Sequence, residues 1–297
     1  MERLSYREFV NSIEKQLRCS TDKKVERKQI TKNNGIQMDA ILLLKEGEKI
    51  APTIYLNEHY QRYLEGEELD EVVKCIRKLS EQKLKGEFDT EQFLDFTSAK
   101  QHILFKLIYA KSNENLLKEI PHRRFLDLAV VFYYLVPDEK VHGSILIRNE
   151  HMQLWEVTGE QLYNVAMKNT PEELQPEIRD MNTVVSELLE GMPAFEGEEL
   201  AEETAPMYVV TNKRKYYGAA CMLYPGLLKT FAEMRNTDFY ILPSSVHELL
   251  LIPFDLGVAE ELSAMVCEVN DTQVIPEEVL SNHVYLYRRK TDEIISV

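Results

Sequence analysis

The chain has 297 residues, 44% hydrophobic and 29% charged, a composition that excludes wholesale disorder and a fibrous repeat. Its formal charge of −15 repels a phosphate backbone on average, and with no recognised recognition module present, nucleic acid is not an expected partner. The longest nearly apolar run, Phe125 to Val136, contains Asp127 and is too short to span a bilayer, and Met1 to Ser5 lacks the basic start of a secretory leader, so a cytoplasmic protein without membrane contact is expected.

The pattern is that of an α+β protein with mixed or antiparallel sheets and packed helices, in two or three subdomains. In residues 1–97, Ser5 and Glu8 have capping-box spacing, and Phe9, Val10, Ile13 and Leu17 then share one helical face. Val25 to Thr31 and Ile36 to Leu44 flank Asn33-Asn34-Gly35, which predicts a tight hairpin because asparagine and glycine accept positive φ. A strand over Ile50 to Tyr55 follows, then a short helix capped by Asn57 and stopped at Gly66, then a helix whose stripe is Leu69, Val72, Val73, Ile76 and Leu79.

Residues 98–191 read as a second α+β subdomain. Strands are expected over His102 to Tyr109, Leu126 to Val136 and Val141 to Arg148, with a short helix around Asn113 to Glu119. A helix begins at the Thr158/Gln161 capping box and is expected to end before Thr170-Pro171; another covers Met181 to Glu190. Eleven acids against Arg179 alone lie between Glu172 and Glu203, and residues 192–206, rich in Glu, Pro and Gly, are read as an acidic linker or loop. The third subdomain, residues 207–297, is expected to hold a strand at Met207 to Thr211, a helix over Gly218 to Met234 perturbed by Pro225, strands at Phe239 to Leu242 and Val246 to Ile252, a helix at Ala259 to Cys267 and a strand at Val284 to Tyr287.

Pro243-Ser244-Ser245-Val246-His247-Glu248 is the most suggestive string. On a strand Ser245 and His247 would share a face, a minimal nucleophile and base, with Glu248 next in sequence as the candidate third member. No Gly-x-Ser-x-Gly elbow accompanies them, and Leu251 stands where His-Glu-x-x-His needs a second ligand. Tyr55, His59 and Tyr63 around a short helix, and His122 beside Arg123 and Arg124, are candidate binding residues. No metal site is expected, since Cys19, Cys75, Cys221 and Cys267 form no Cys-x-x-Cys pair and no two histidines have i, i+4 spacing. No cofactor is expected either, as both common glycine-rich phosphate loops are absent.

Lys32-Asn33-Asn34-Gly35, Ala51 to Leu56, Val157 to Thr170 with Leu162-Tyr163 and Asn169-Thr170, and Leu242 to Glu248 together resemble an uncharacterised domain-of-unknown-function family common in Gram-positive anaerobes, over nearly the full chain. From Met207 onward the order of elements also resembles a second uncharacterised Gram-positive family. The resemblance implies a bacterial cytosolic protein and carries over no catalytic residue. Two functions are therefore expected in order: a non-enzymatic interaction or regulatory protein with a protein partner or as an oligomer, and, second, a hydrolase-like enzyme around Ser245, His247 and Glu248.

Overall fold

The Ser5 amide and hydroxyl both donate to Glu8 Oε2, at 3.0 and 2.6 Å, at the head of helix α1 (Tyr6–Ser20). Phe9, Val10, Ile13 and Leu17 on its inner face are buried, each contributing about 1.5–3 kcal/mol. The computed structural model describes residues 3–45, 51–81, 90–137, 143–189 and 206–297. They fall into two compact units, one up to residue 81 and one from residue 90 onward.

In the first unit, β1 (Lys24–Thr31) and β2 (Gln37–Leu44) pair antiparallel from Lys24↔Leu44 to Thr31↔Gln37. Lys32 to Ile36 connect them, a wider loop than the expected tight hairpin. The positive φ values fall where the sequence placed them, on Asn34 (58°) and Gly35 (73°). β3 (Ile54–Tyr55) adds to β2 and leads directly into α2 (Leu56–Leu64). Tyr55 occupies the N-cap, and Asn57 lies inside the helix, its Oδ1 accepting from Tyr6 Oη at 3.3 Å, because the strand hands over to the helix two residues earlier than expected. α3 (Leu69–Glu81) buries Val72, Val73 and Ile76 in the same core as α1 and the sheet.

The second unit opens with α4 (Thr90–Leu94) and α5 (Phe96–Ala99). β4 (Ile103–Tyr109), α6 (Glu114–Leu117), β5 (His122–Phe125), β6 (Leu128–Leu135) and β7 (Ser144–Leu146) then build a four-stranded antiparallel sheet around β6, every residue of which is buried. α7 (Asn149–Trp155) and α8 (Gly159–Glu173) follow. α8 runs through Pro171 instead of stopping before Thr170. The buried Thr170 hydroxyl donates to Ala166 O at 2.7 Å and accepts from the Phe105 amide at 3.0 Å, while Asn169 Nδ2 donates to Lys100 O and Ile103 O. These bonds hold the last turn against β4 and outweigh the amide that proline lacks.

β8 (Pro176–Asp180), α9 (Met181–Leu189), β9 (Tyr208–Asn212), α10 (Leu227–Arg235), β10 (Phe239–Leu242), β11 (Leu249–Pro253), α11 (Ala259–Thr272), β12 (Tyr285–Arg288) and β13 (Glu293–Ser296) complete the chain. Their strands form an antiparallel sheet of order β13-β12-β10-β11-β9-β8. The helix expected over 218–234 is split: 3-10 turns cover Gly218–Leu223, and α10 starts only after Gly226, at φ 72°. α11 lies on the sheet face carrying Tyr240, Leu242, Ile252 and Leu286 and buries Val266 there. All but Pro206 of the acidic 192–206 segment lies outside the described residues.

No helix among the described residues is long and apolar enough to cross a membrane. All four cysteines are free thiols. Cys221 is buried, which pushes its pKa up to about 12.

Candidate functional site

Ser245 and His247 lie in the turn between β10 and β11, because β11 starts only at Leu249. The alternation that would have put both side chains on one strand face therefore does not apply. The Ser245 hydroxyl accepts the His247 amide at 3.0 Å, and Ser245 N–H donates to Glu248 O at 3.2 Å. Glu248 Oε1 meets Ser244 Oγ at 3.3 Å rather than the imidazole. Serine and glutamate thus shape the turn.

The His247 ring faces a different set of groups. Its Nδ1 accepts the Tyr217 amide at 3.2 Å, which leaves Nε2 to carry the ring proton, and Nε2 lies 3.5 Å from Glu278 Oε1. Tyr217 stacks on the imidazole, centroids 5.5 Å apart and planes 8° apart. Lys106 Nζ sits 4.0 Å from the centre of the Tyr217 ring. Tyr216 donates to or accepts from Ser144 Oγ at 3.2 Å, and Tyr133 packs edge-on against both tyrosines. Burial raises the pKa of Tyr133 and of Tyr216, with their tyrosine neighbours adding to it. Tyr133 Oη makes no hydrogen bond to a described residue.

The loop that presents Tyr216 and Tyr217 is held in an uncommon backbone. Lys215 and Tyr217 both have positive φ, 51° and 52°. The fully buried Asn212 enforces it: its Oδ1 accepts the Arg214 and Tyr216 amides, and its Nδ2 donates to Tyr216 O at 2.8 Å. Thr211 Oγ1 donates to His247 O at 2.8 Å, so β9 also anchors the histidine turn.

A second polar cluster in this unit was not foreseen. The Asp127 carboxylate accepts from Ser281 Oγ at 2.6 Å and Tyr285 Oη at 2.7 Å, and His283 Nδ1 lies 3.1 Å from it. Ser281 is fully buried and its Oγ also accepts the His283 amide at 2.9 Å. Serine, histidine and aspartate meet here, with the hydroxyl donating to the carboxylate at 2.6 Å and His283 Nδ1 3.4 Å from the same Oγ, whereas a nucleophile relay has the hydroxyl donate to the imidazole. Ser281, His283 and Tyr285 recur every second residue, and that spacing was the local signal available.

Tyr55, His59 and Tyr63 lie in the first unit, and His122 lies in the second. Tyr63 is buried against Phe9, its Oη accepts the Leu4 amide at 3.2 Å, and the Arg3 guanidinium sits 4.6 Å over its ring. Tyr55 carries Lys32 Nζ 3.9 Å from its ring centre. His122 is exposed in β5, with Nδ1 3.1 Å from Ile120 O. His59 is buried, and its Nδ1 has no hydrogen-bond partner among the described residues. Burial, helped by the Arg62 charge, lowers its pKa below the ordinary 6.5.

That direction fixes a pH dependence. Below 6.5 the unfolded chain takes up a proton at this position before the folded one does, so its contribution to stability is complete above 6.5 and is lost as pH falls towards the folded value. Urea unfolding of wild type and His59→Gln is expected to show the wild type losing ground relative to the variant as pH drops through 6.5. Parallel pH profiles would show that His59 titrates alike in both states.

One concavity of about 640 Å³ in the first unit is lined by Glu14, Arg18, Lys24, Glu26, Arg27 and Asp39. Its charges pair among themselves, Arg27 with Asp39 at 3.0 Å and Arg18 with Glu14 at 2.7 Å. No group of three or more His, Cys, Asp or Glu side chains among the described residues is placed to hold a metal ion.

No curated protein and no solved structure matches the chain. A family model described as a family of unknown function, DUF5688, matches residues 6–289. That span takes in the hairpin loop, the α8 clamp on β4 and the histidine turn alike, and on it the chain belongs to the DUF5688 family.

Proposed function

We propose that the chain is a non-enzymatic interaction or regulatory protein of the bacterial cytoplasm that acts by binding a protein partner. The observation that carries this reading is an apolar stripe on the surface of the second unit. Among the described residues, six of the twelve exposed large apolar side chains fall between Phe254 and Ile275: Phe254, Leu256, Val258, Met265, Val269 and Ile275. Val258, Met265 and Val269, with the half-buried Leu262, recur at i, i+4, i+7 and i+11 along one flank of α11. Scattered apolar residues on a surface are ordinary, whereas a contiguous run of them marks an interaction site. Free thiols throughout suit a reducing compartment.

The histidine turn fits the same reading, since His247 Nδ1 and Ser245 Oγ both accept backbone amides. His247→Ala is expected to lower stability by about 1–2 kcal/mol through loss of the Tyr217 amide's acceptor and the ring stack. Wild type is expected to show no turnover of chromogenic acyl or phosphoryl esters. A turnover abolished by both Ser245→Ala and His247→Ala, with melting unchanged, would overturn the reading in favour of a hydrolase.

A further inference from the structure

Resting on that reading, we propose that the α11 stripe docks a cationic amphipathic segment of a partner protein, one in which lysines or arginines flank apolar anchors. The segment that carries the stripe holds one sign of charge. From Asn236 to Tyr287 the sequence holds nine acids, Asp238, Glu248, Asp255, Glu260, Glu261, Glu268, Asp271, Glu277 and Glu278, and no lysine or arginine. Asp255, Glu260, Glu261, Glu268 and Asp271 are exposed, and among the described residues none of these five is paired with a basic side chain. Acids elsewhere on the surface do find cations, as Glu119 does with Arg148 and Glu173 with Arg214. The acids around α11 therefore present an uncompensated field around an apolar strip.

That combination selects among occupants. An anionic lipid surface or a nucleic acid would meet like charge. A second copy docking through the same face would place two such acidic rims against each other, because a two-fold interface brings the same patch of both copies together and the charges of this one are all acidic. A helix with apolar residues at i, i+3, i+4 and i+7 and basic flanks satisfies both the strip and its rim. Met265 near the middle of the strip adds an unbranched side chain that adapts to different anchors. The strip is also firmly mounted: Val266 beneath it is buried, and Asn270 Nδ2 donates to Ser281 O at 2.9 Å and Asn282 Oδ1 at 2.7 Å.

The test is calorimetric titration of the full chain with two helical peptides of identical apolar pattern, one with lysine and one with glutamate at the polar positions, alongside light scattering. The lysine peptide is expected to bind and the glutamate peptide not, with affinity falling as salt rises. Met265→Asp/Val269→Asp, checked for unchanged melting, is expected to weaken the lysine peptide about tenfold or more. The substitution makes the surface more acidic, so mere attraction to a negative protein would be strengthened by it. Glu261→Lys/Glu268→Lys is expected to weaken the same peptide without touching the strip. Equal binding of both peptides, or binding unchanged in the aspartate variant, overturns the inference. A wild-type dimer that the aspartate variant converts to monomer also overturns it, yet leaves the interaction reading standing. No binding by a protein that is monomeric throughout overturns it and removes the support for that reading as well.

Discussion

Gly218→Ala is expected to lower the stability of the second unit by about 3 kcal/mol or more, read as a fall in the urea midpoint. Gly218 is buried where the 3-10 turns after β9 touch both β9 and the histidine turn. A Cβ there would lie inside van der Waals contact of Thr211 Oγ1 and of the His247 carbonyl oxygen, and 2.8 Å from Thr211 Cα. Two of these three atoms are backbone, so no rotamer change relieves the overlap. The displaced pair is also a hydrogen-bonded one, Thr211 Oγ1 to His247 O. Gly159→Ala is the matched control: it opens α8, nothing lies within 4 Å of the added methyl, and a gain of about 0.5 kcal/mol is expected. If the two substitutions had similar effects, the three segments would not meet as described.

Asp127→Ala is expected to lose about 3 kcal/mol, because it strands hydroxyls that have no other acceptor of comparable strength. Tyr285 is fully buried and Ser281 likewise, and both donate to the carboxylate. Burial raises the Tyr285 pKa, and the negative charge of Asp127 adds to it. Tyr285→Phe removes one hydroxyl together with its need for a partner, so it should cost less than Asp127→Ala. In the double variant the losses should fall short of additive by about 1 kcal/mol or more, the mark of a shared contact. Strict additivity in denaturant unfolding would contradict the network.

The parts of this fold legible in the sequence are those whose causes are local. Ser5 and Glu8 announce α1 three residues apart, and Asn34 and Gly35 announce the turn of the first hairpin, because capping and positive φ are decided within a few residues. Where tertiary contacts decide, local reading fails. Pro171 looked like a helix stop, yet Thr170 and Asn169 are tied to β4 more than 60 residues away. The histidine string looked like a strand because five of the seven residues from Val246 to Ile252 are apolar, but the Ser245 hydroxyl and the Glu278 carbonyl capture its amides and keep it a turn. The stripe on α11 was illegible for another reason: Val258, Leu262, Met265, Val266 and Val269 span a broad arc, and only the sheet beneath decides that Val266 goes inward. The strings that carried the family resemblance include the α8 clamp and the two turns, which are architectural positions.

The Asp127 network joins positions 154 to 158 apart in the chain. Closing a loop of that length costs about 4–5 kcal/mol of chain entropy before any bond is made. Such a contact is poorly suited to nucleation and well suited to forming late, once β6 and β12 already stand in their sheets. The carboxylate then acts as a kinetic latch: its removal should quicken unfolding while leaving the folding rate nearly unchanged.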